Sequence, residues 1–407
     1  MALCFFTARV EAQTPEANLW DEARVIARAR RASPTVRSAE SALRVAQAGR
    51  AFGEVPVIGN PTVGVTMLPG WPEFGAYTMA ASVGIPIEVG GRRARYRSEA
   101  EIDIRAAEAR VDAAVVAGVA EARMAYVELV TIHEEVSIQQ ARLTAARTID
   151  ERVHARVDAG AATAVERALT SRERAEAEAD LAEAQRRRVE AESQLRRHLD
   201  LGANDALAVA PLTHPSRVEA GEQSQAAPRA QRQRRDVAAL EQSAARFDAS
   251  ASRWQAASVA PLIVGLEGQQ VAVSDNARAS SLGASLRWEL PLAQRNQGER
   301  ALASAEASGQ RVLATLLRRQ IDREVMSSIA GLHAALDELE VLQRDALPAA
   351  ERLVTATEAS FSAGALDFFR VLTAQRDLLS VRSRILEATR RAWRARLEYE
   401  RTTGAMP

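Results

Sequence analysis

The chain has 407 residues, enough for two or three ordinary domains or for one elongated body. Its 53 basic residues are all arginine and balance 53 acidic ones, so no net field draws the chain toward nucleic acid or an anionic surface. The single cysteine, Cys4, excludes an intrachain disulfide and a cysteine-based zinc site. Aromatics at 4% suit close helix–helix contact better than one thick core.

Residues 1–13 combine a short apolar run, Ala2 to Phe6, with Val10-Glu11-Ala12, whose spacing of short residues resembles a signal-peptidase site. The expectation is the remnant of a signal peptide, its basic start lying upstream. Leu3 before Cys4 is a poor lipidation context. No apolar run reaches the length of a transmembrane helix, which leaves a soluble protein or a β-barrel.

The rest reads as one pattern used twice, over residues 19–204 and 228–404, with a Pro-, Ser- and Gln-rich connection over 205–227. Each half opens with an amphipathic helix, over 19–52 and 228–258; Val36, Leu43 and Ala46 mark the first stripe, Val237, Leu240 and Trp254 the second. Two strands follow in each half, at 61–68 and 77–87, then at 261–269 and 281–292. In the last, Leu282, Ala284, Leu286, Trp288 and Leu290 alternate with polar or small residues, the period-two pattern of a membrane-barrel strand. A half-buried strand of a soluble sandwich has the same pattern, so the weight falls on four such segments in two matched pairs. Four strands cannot close a barrel alone, and lipid tolerates no open edge, so a barrel needs several chains.

Long helices are expected next, over 92–157 and 296–359, each breaking at a glycine, Gly160 or Gly364, before a return helix over 163–199 or 366–401. Leu372, Leu379, Leu386 and Trp393 recur every seven residues, as a coiled-coil seam does. Ile85-Pro86-Ile87 matches Leu290-Pro291-Leu292, and Ala159-Gly160 matches Ala363-Gly364, at nearly constant offset. The duplication is therefore internal to the chain.

Enzyme signals are missing. His133, His154, His198, His214 and His333 form no His-x-x-x-His pair, Gly90-Gly91 is followed by no phosphate-loop Lys-Ser or Lys-Thr, and no nucleophile elbow occurs. No catalytic residue, cofactor or metal site is expected.

Ile85-Pro86-Ile87-Glu88-Val89-Gly90-Gly91-Arg92-Arg93, Leu290-Pro291-Leu292-Ala293-Gln294-Arg295-Asn296-Gln297-Gly298-Glu299 and the run Val371-Leu372-Thr373-Ala374-Gln375-Arg376 after Gly364 resemble landmarks of the TolC-like outer-membrane factor family. The Arg-Asn-Gln-Gly run resembles its cobalt–zinc–cadmium branch, which serves heavy-metal resistance-nodulation-division pumps. The resemblance implies a mixed fold of membrane β-barrel and long α-helical coiled-coil tunnel. In it an internally duplicated protomer contributes four strands to a trimeric twelve-stranded barrel. It implies a homotrimer in the outer membrane with a large periplasmic helical portion, touching lipid but no nucleic acid. A periplasmic adaptor and an inner-membrane pump would be its partners, and divalent heavy-metal cations its cargo. Arg287 and Glu289 would face the lumen, and Leu286, Trp288 and Leu290 the lipid. Asp158, Gly160, Glu166, Gly364 and Asp367 would lie at the periplasmic tip and aperture. The alternatives are the same architecture exporting organic toxins or a secreted polypeptide, and a soluble coiled-coil scaffold.

Overall fold

The structure, a computed structural model, describes residues 19–54, 59–69, 77–274, 277–363, 365–366 and 368–404. The expected signal remnant at 1–13, together with Gly364 and Asp367, lies outside the described residues. The chain divides into two compact units. One comprises residues up to Arg37 with Ala114–Arg234 and Arg319 onward; the other comprises Ser38–Ala113 and Arg235–Arg318.

The elements run in chain order as β1 (Leu19–Trp20), α1 (Glu22–Ala32), α2 (Pro34–Ala48), α3 (Ala51–Glu54), β2 (Thr62–Pro69), β3 (Tyr77–Ile87), α4 (Arg92–Asp158) and α5 (Ala164–Leu199). The second half supplies β4 (Ala208–Val209), α6 (Ala220–Gln233), α7 (Arg235–Ala257), β5 (Leu262–Ser274), β6 (Ala277–Trp288), α8 (Gln297–Val341), α9 (Leu347–Ser362) and α10 (Phe368–Thr403). Among the described residues no helix is long and apolar enough to cross a membrane.

The first unit is helical. Asp21 caps α1 by accepting a hydrogen bond from the Arg24 backbone N–H at 2.8 Å. Helix α1 stops at Ser33 because Pro34, which has no N–H, opens α2. The single opening helix expected over 19–52 is thus three helices and a short strand. Strand β1 pairs in parallel with β4, Leu19 opposite Ala208 and Trp20 opposite Val209. Around that pair Val25, Ala29, Val119, Tyr126, Leu129, Leu195 and Leu199 form a core. Burying each of the larger aliphatic side chains there contributes about 1.5–3 kcal/mol. The Tyr126 hydroxyl donates to the Ala210 carbonyl at 2.8 Å. Burial, and then the Glu22 and Asp21 carboxylates, push its pKa up to about 12.

Alanine makes the helix pairs of this unit tight. Leu143 and Ala146 of α4 pack on Ala177 and Leu181 of α5, and Ala388 and Ala392 of α10 pack against Leu339 and Leu342. The seven-residue seam of α10 is buried at Leu372, Leu386 and Trp393 and half-buried at Leu379. Between α8 and α9 one π-helical turn, Leu342–Ala346, precedes Pro348, which cannot donate into the helical ladder. The connection expected over 205–227 is partly ordered as helix: α6 begins at Ala220 and runs through Pro228.

The second unit holds a four-stranded antiparallel sheet in the order β2-β3-β5-β6. Strand β3 occupies the expected 77–87. Strand β5 continues to Ser274, five residues past the expected end, while β6 starts at Ala277 and stops at Trp288 rather than 292. The stop has a local cause. The Leu292 N–H donates to the Leu290 carbonyl at 2.9 Å across Pro291, a three-residue turn that ends the ladder.

Candidate channel surfaces

The register sorts the sheet into two faces, because directly opposed residues of neighbouring strands project to the same side. One face stacks the rows Val65–Ala81–Gly268–Leu282, Val63–Val83–Leu266–Ala284, Ile85–Val264–Leu286 and Ile87–Leu262–Trp288. Among the described residues nothing covers this apolar surface: Leu282 is 81% exposed, Val63 75% and Leu286 70%. Trp288 closes it at one end, its indole N–H donating to the Ala260 carbonyl at 3.1 Å. A continuous apolar face of this size, left in water, would be an aggregation hazard.

The opposite face is small and polar. Its rows are Thr62–Gly84–Gly265–Ser285, Gly64–Ser82–Glu267–Gly283 and Thr66–Ala80–Gln269–Ser281. A Cβ on Gly265 would lie 2.7 Å from the Ser285 hydroxyl oxygen and 2.9 Å from the Val83 carbonyl oxygen, and one on Gly84 would lie 2.9 Å from Ile263 Cγ2. The glycines therefore let neighbouring strands and side chains pack closely over the polar face. Arg287 shares this face with Ile263 and Pro86, opposite to Leu286 and Trp288. Glu289 and Leu290 lie beyond the end of β6, so the ladder assigns neither to a face. Among the described residues, both edge strands, β2 and β6, have one side unpaired.

The two strand-to-helix transitions are built alike. Gly91, with φ +68°, offers its carbonyl to the Arg95 N–H, and Asn296, with φ +52°, offers its carbonyl to the Arg300 N–H. Both long helices thus start from a left-handed residue. Asn296 stands just before α8, and its side-chain amide donates to the Trp254 carbonyl at 3.2 Å rather than capping the helix. Glu88 Oε1 accepts from the Arg93 N–H at 2.6 Å.

At the far end of α4 the chain turns through Gly160, φ +72°. The Ala161 N–H donates to the Arg156 carbonyl and the Gly160 N–H to the Val157 carbonyl, the paired bonds of a glycine-ended helix. Thr163 and Glu166 then start α5 with a reciprocal capping box. The Thr163 backbone and hydroxyl donate to the Glu166 carboxylate and hold its pKa below the ordinary value. Asp158 pairs with Arg167 at 3.6 Å, so both acidic candidates here also serve the turn itself. In the second repeat the Ala365 N–H donates to the Ser360 carbonyl with the same five-residue spacing.

Two buried carboxylates near this turn carried no sequence signal, since each is one acid among many on a charged helix. Asp150 accepts from the Thr170 hydroxyl at 2.8 Å, the Ser171 hydroxyl at 3.0 Å and Arg174 Nε at 3.0 Å. Burial alone would raise its pKa, but these hydrogen bonds with the His154 and Arg174 charges hold it below the ordinary value. Glu173 meets Arg142 of α4 at 3.0 Å and Arg376 of α10, tying three helices. Among the described residues no group of His, Cys, Asp and Glu side chains is arranged to hold a metal ion.

Residues 25–200 match the family model described as outer membrane efflux protein. No protein of curated function matches in sequence. Among solved structures, the CusC transmembrane channel is 16% identical, with 94% of this chain and 91% of that one covered and a TM-score of 0.69. The outer-membrane channel OprN is 21% identical over 95% and 90%, at 0.68. The outer-membrane protein VceC from Vibrio cholerae is 18% identical over 94% and 96%, at 0.68. The chain has the fold of outer-membrane channels, and its residues 25–200 match the outer membrane efflux protein model.

Proposed function

We propose that this chain is the outer-membrane conduit of a tripartite efflux assembly. Copies would close its four-stranded sheets into one barrel, and its helical hairpins would line a periplasmic duct. The observation that carries this reading is the sheet. Among the described residues it has one uncovered apolar face, one face of small and polar residues, and two open edges. Lipid stabilises the first, a water-filled lumen suits the second, and pairing between copies satisfies the third. Three copies give the twelve strands that the family resemblance implies.

A periplasmic adaptor and an inner-membrane resistance-nodulation-division pump supply coupling and energy in this account. The duct itself is passive. For cargo, the family match is to outer-membrane efflux in general, and identities to the matched channels single out no metal-exporting branch. Export of organic toxic compounds is therefore the better supported reading, ahead of the divalent heavy-metal cations implied by the Arg-Asn-Gln-Gly run.

Deleting the gene and challenging the strain with a panel of organic toxic compounds and divalent metals tests the cargo. Sensitisation to the organic compounds, reversed by the wild-type gene, is expected. Sensitisation to metals alone would return the assignment to the heavy-metal branch, and recovery of the protein in the soluble fraction would remove the channel altogether.

A further inference from the structure

Within the polar face of the sheet, charge is confined to two side chains among the described residues: Glu267 on β5 and Arg287 on β6. Glu267 sits at mid-strand. Its register neighbours are Ser82, then Gly64, on one side and Gly283 on the other. On this face it is followed along β5 by Gln269 and preceded by Gly265. In a row of Gly, Ser and Gly the carboxylate is the largest group, and it is exposed. No ion pair to Glu267 is present among the described residues.

Arg287 does not neutralise it. Arg287 stands opposite Ile263, four residues along β5 from Glu267, which at roughly 3.3 Å per residue is about 13 Å. That exceeds the screening length of about 8 Å at physiological ionic strength, so in a water-filled lumen the two charges act as separate zones.

We infer that Glu267 forms an acidic ring at mid-height of the barrel lumen and sets the charge preference of the pore there, favouring cationic over anionic solutes. This rests on the channel reading above, in which every copy contributes one Glu267 to the same level. Rings of Asp or Glu attract cations and repel anions by the fixed charge they present to a narrow aqueous path. Bulk adds to charge. Glu267 and Gln269 project from β5 into neighbouring rows otherwise built of Gly, Ala, Ser and Thr, so β5 narrows the lumen at this level. Arg287, nearer the helical end of the sheet, supplies the opposing zone.

The test is permeability measured on the purified assembly in planar lipid bilayers under a potassium chloride gradient, for wild type, Glu267→Gln and Gln269→Glu. The expected result is a wild-type potassium-over-chloride preference that falls about twofold in Glu267→Gln and rises by a similar factor in Gln269→Glu. The second variant adds a carboxylate one step along the same face, so it decides the matter even where Glu267→Gln fails to assemble. Conducting channels in which neither variant shifts the ratio would overturn the inference and leave the channel reading standing. An assembly that conducts nothing in any form would overturn both.

Discussion

Arg123 Nη1 donates to Glu400 Oε2 at 2.5 Å, joining α4 to α10 across 277 residues, with side-chain exposures of 5% and 11%. The same guanidinium donates through Nε to Glu22 of α1 at 2.8 Å, and Arg396 closes on Glu400 at 2.7 Å. Three helices of the first unit therefore converge on one buried cation. Arg123→Met leaves Glu400 buried with fewer partners and should cost about 3–5 kcal/mol, read as a lowered Tm of the extracted assembly. Adding Glu400→Leu should recover part of that loss. A double variant as unstable as the sum of the two single ones would show that the pair is not coupled.

Leu282 and Ser281 are neighbours in β6 that face opposite ways, and they separate the apolar from the polar face at a single step of the chain. Leu282→Arg places a charge on the apolar face at mid-strand and should destabilise the barrel by about 2–4 kcal/mol. Ser281→Arg, on the polar face, should assemble normally. Yield of heat-resistant oligomer in the outer-membrane fraction reads the difference, and equal yields would contradict the assignment of faces.

Close packing over the polar face depends on its glycines. Gly265→Val drives side-chain atoms into the Ser285 hydroxyl and the Val83 carbonyl, whereas a Cβ at Gly268 meets Leu282 Cδ1 at an ordinary 3.9 Å. Gly265→Val should cost about 1–3 kcal/mol and reduce assembly, with Gly268→Ala close to neutral. Thermal stability of the two oligomers compares them, and the reverse order would rule out close packing over this face.

Asp150 links helix pairing to pH. Its folded-state pKa is held below the ordinary value of 3.8, so its contribution is present above that value and is lost as pH falls through the lower folded value. Hydrogen exchange across the α4–α5 hairpin should therefore show wild type better protected than Asp150→Asn at neutral pH. The gap should close in acid below the ordinary value. A gap that persists there would mean that Asp150 acts through packing and not through its charge.

Much of this was legible because it is local and periodic. The alternation from Tyr77 to Ile87 identified β3 to the residue, and the glycine-containing break at Gly160 marked the end of α4. Strand β5 was cut short because Gln269 and Gln270 interrupt its apolar alternation, although the backbone ladder continues to Ser274. Strand β6 was carried too far because Leu290 and Leu292 continue the pattern past Pro291, where hydrogen bonding rather than side-chain character ends the strand. Gly221 and Pro228 disguised α6 as a linker. Glu267 carries no such signal, because it stands among Gly and Gln on the face of β5 opposite to Leu262, Val264 and Leu266. The Arg123–Glu400 pair could not be found, since nothing in either segment names a partner so distant in the chain.

The central claim is that sheets from several chains complete one membrane barrel, and a cryo-electron-microscopy structure of the detergent-extracted assembly tests it most directly. The account predicts three copies, with β6 of each chain hydrogen-bonded to β2 of the next, the row through Leu282 turned to detergent and Glu267 turned to a continuous lumen. A monomer with both sheet edges free, or an oligomer that buries the apolar face against protein around no lumen, would contradict it.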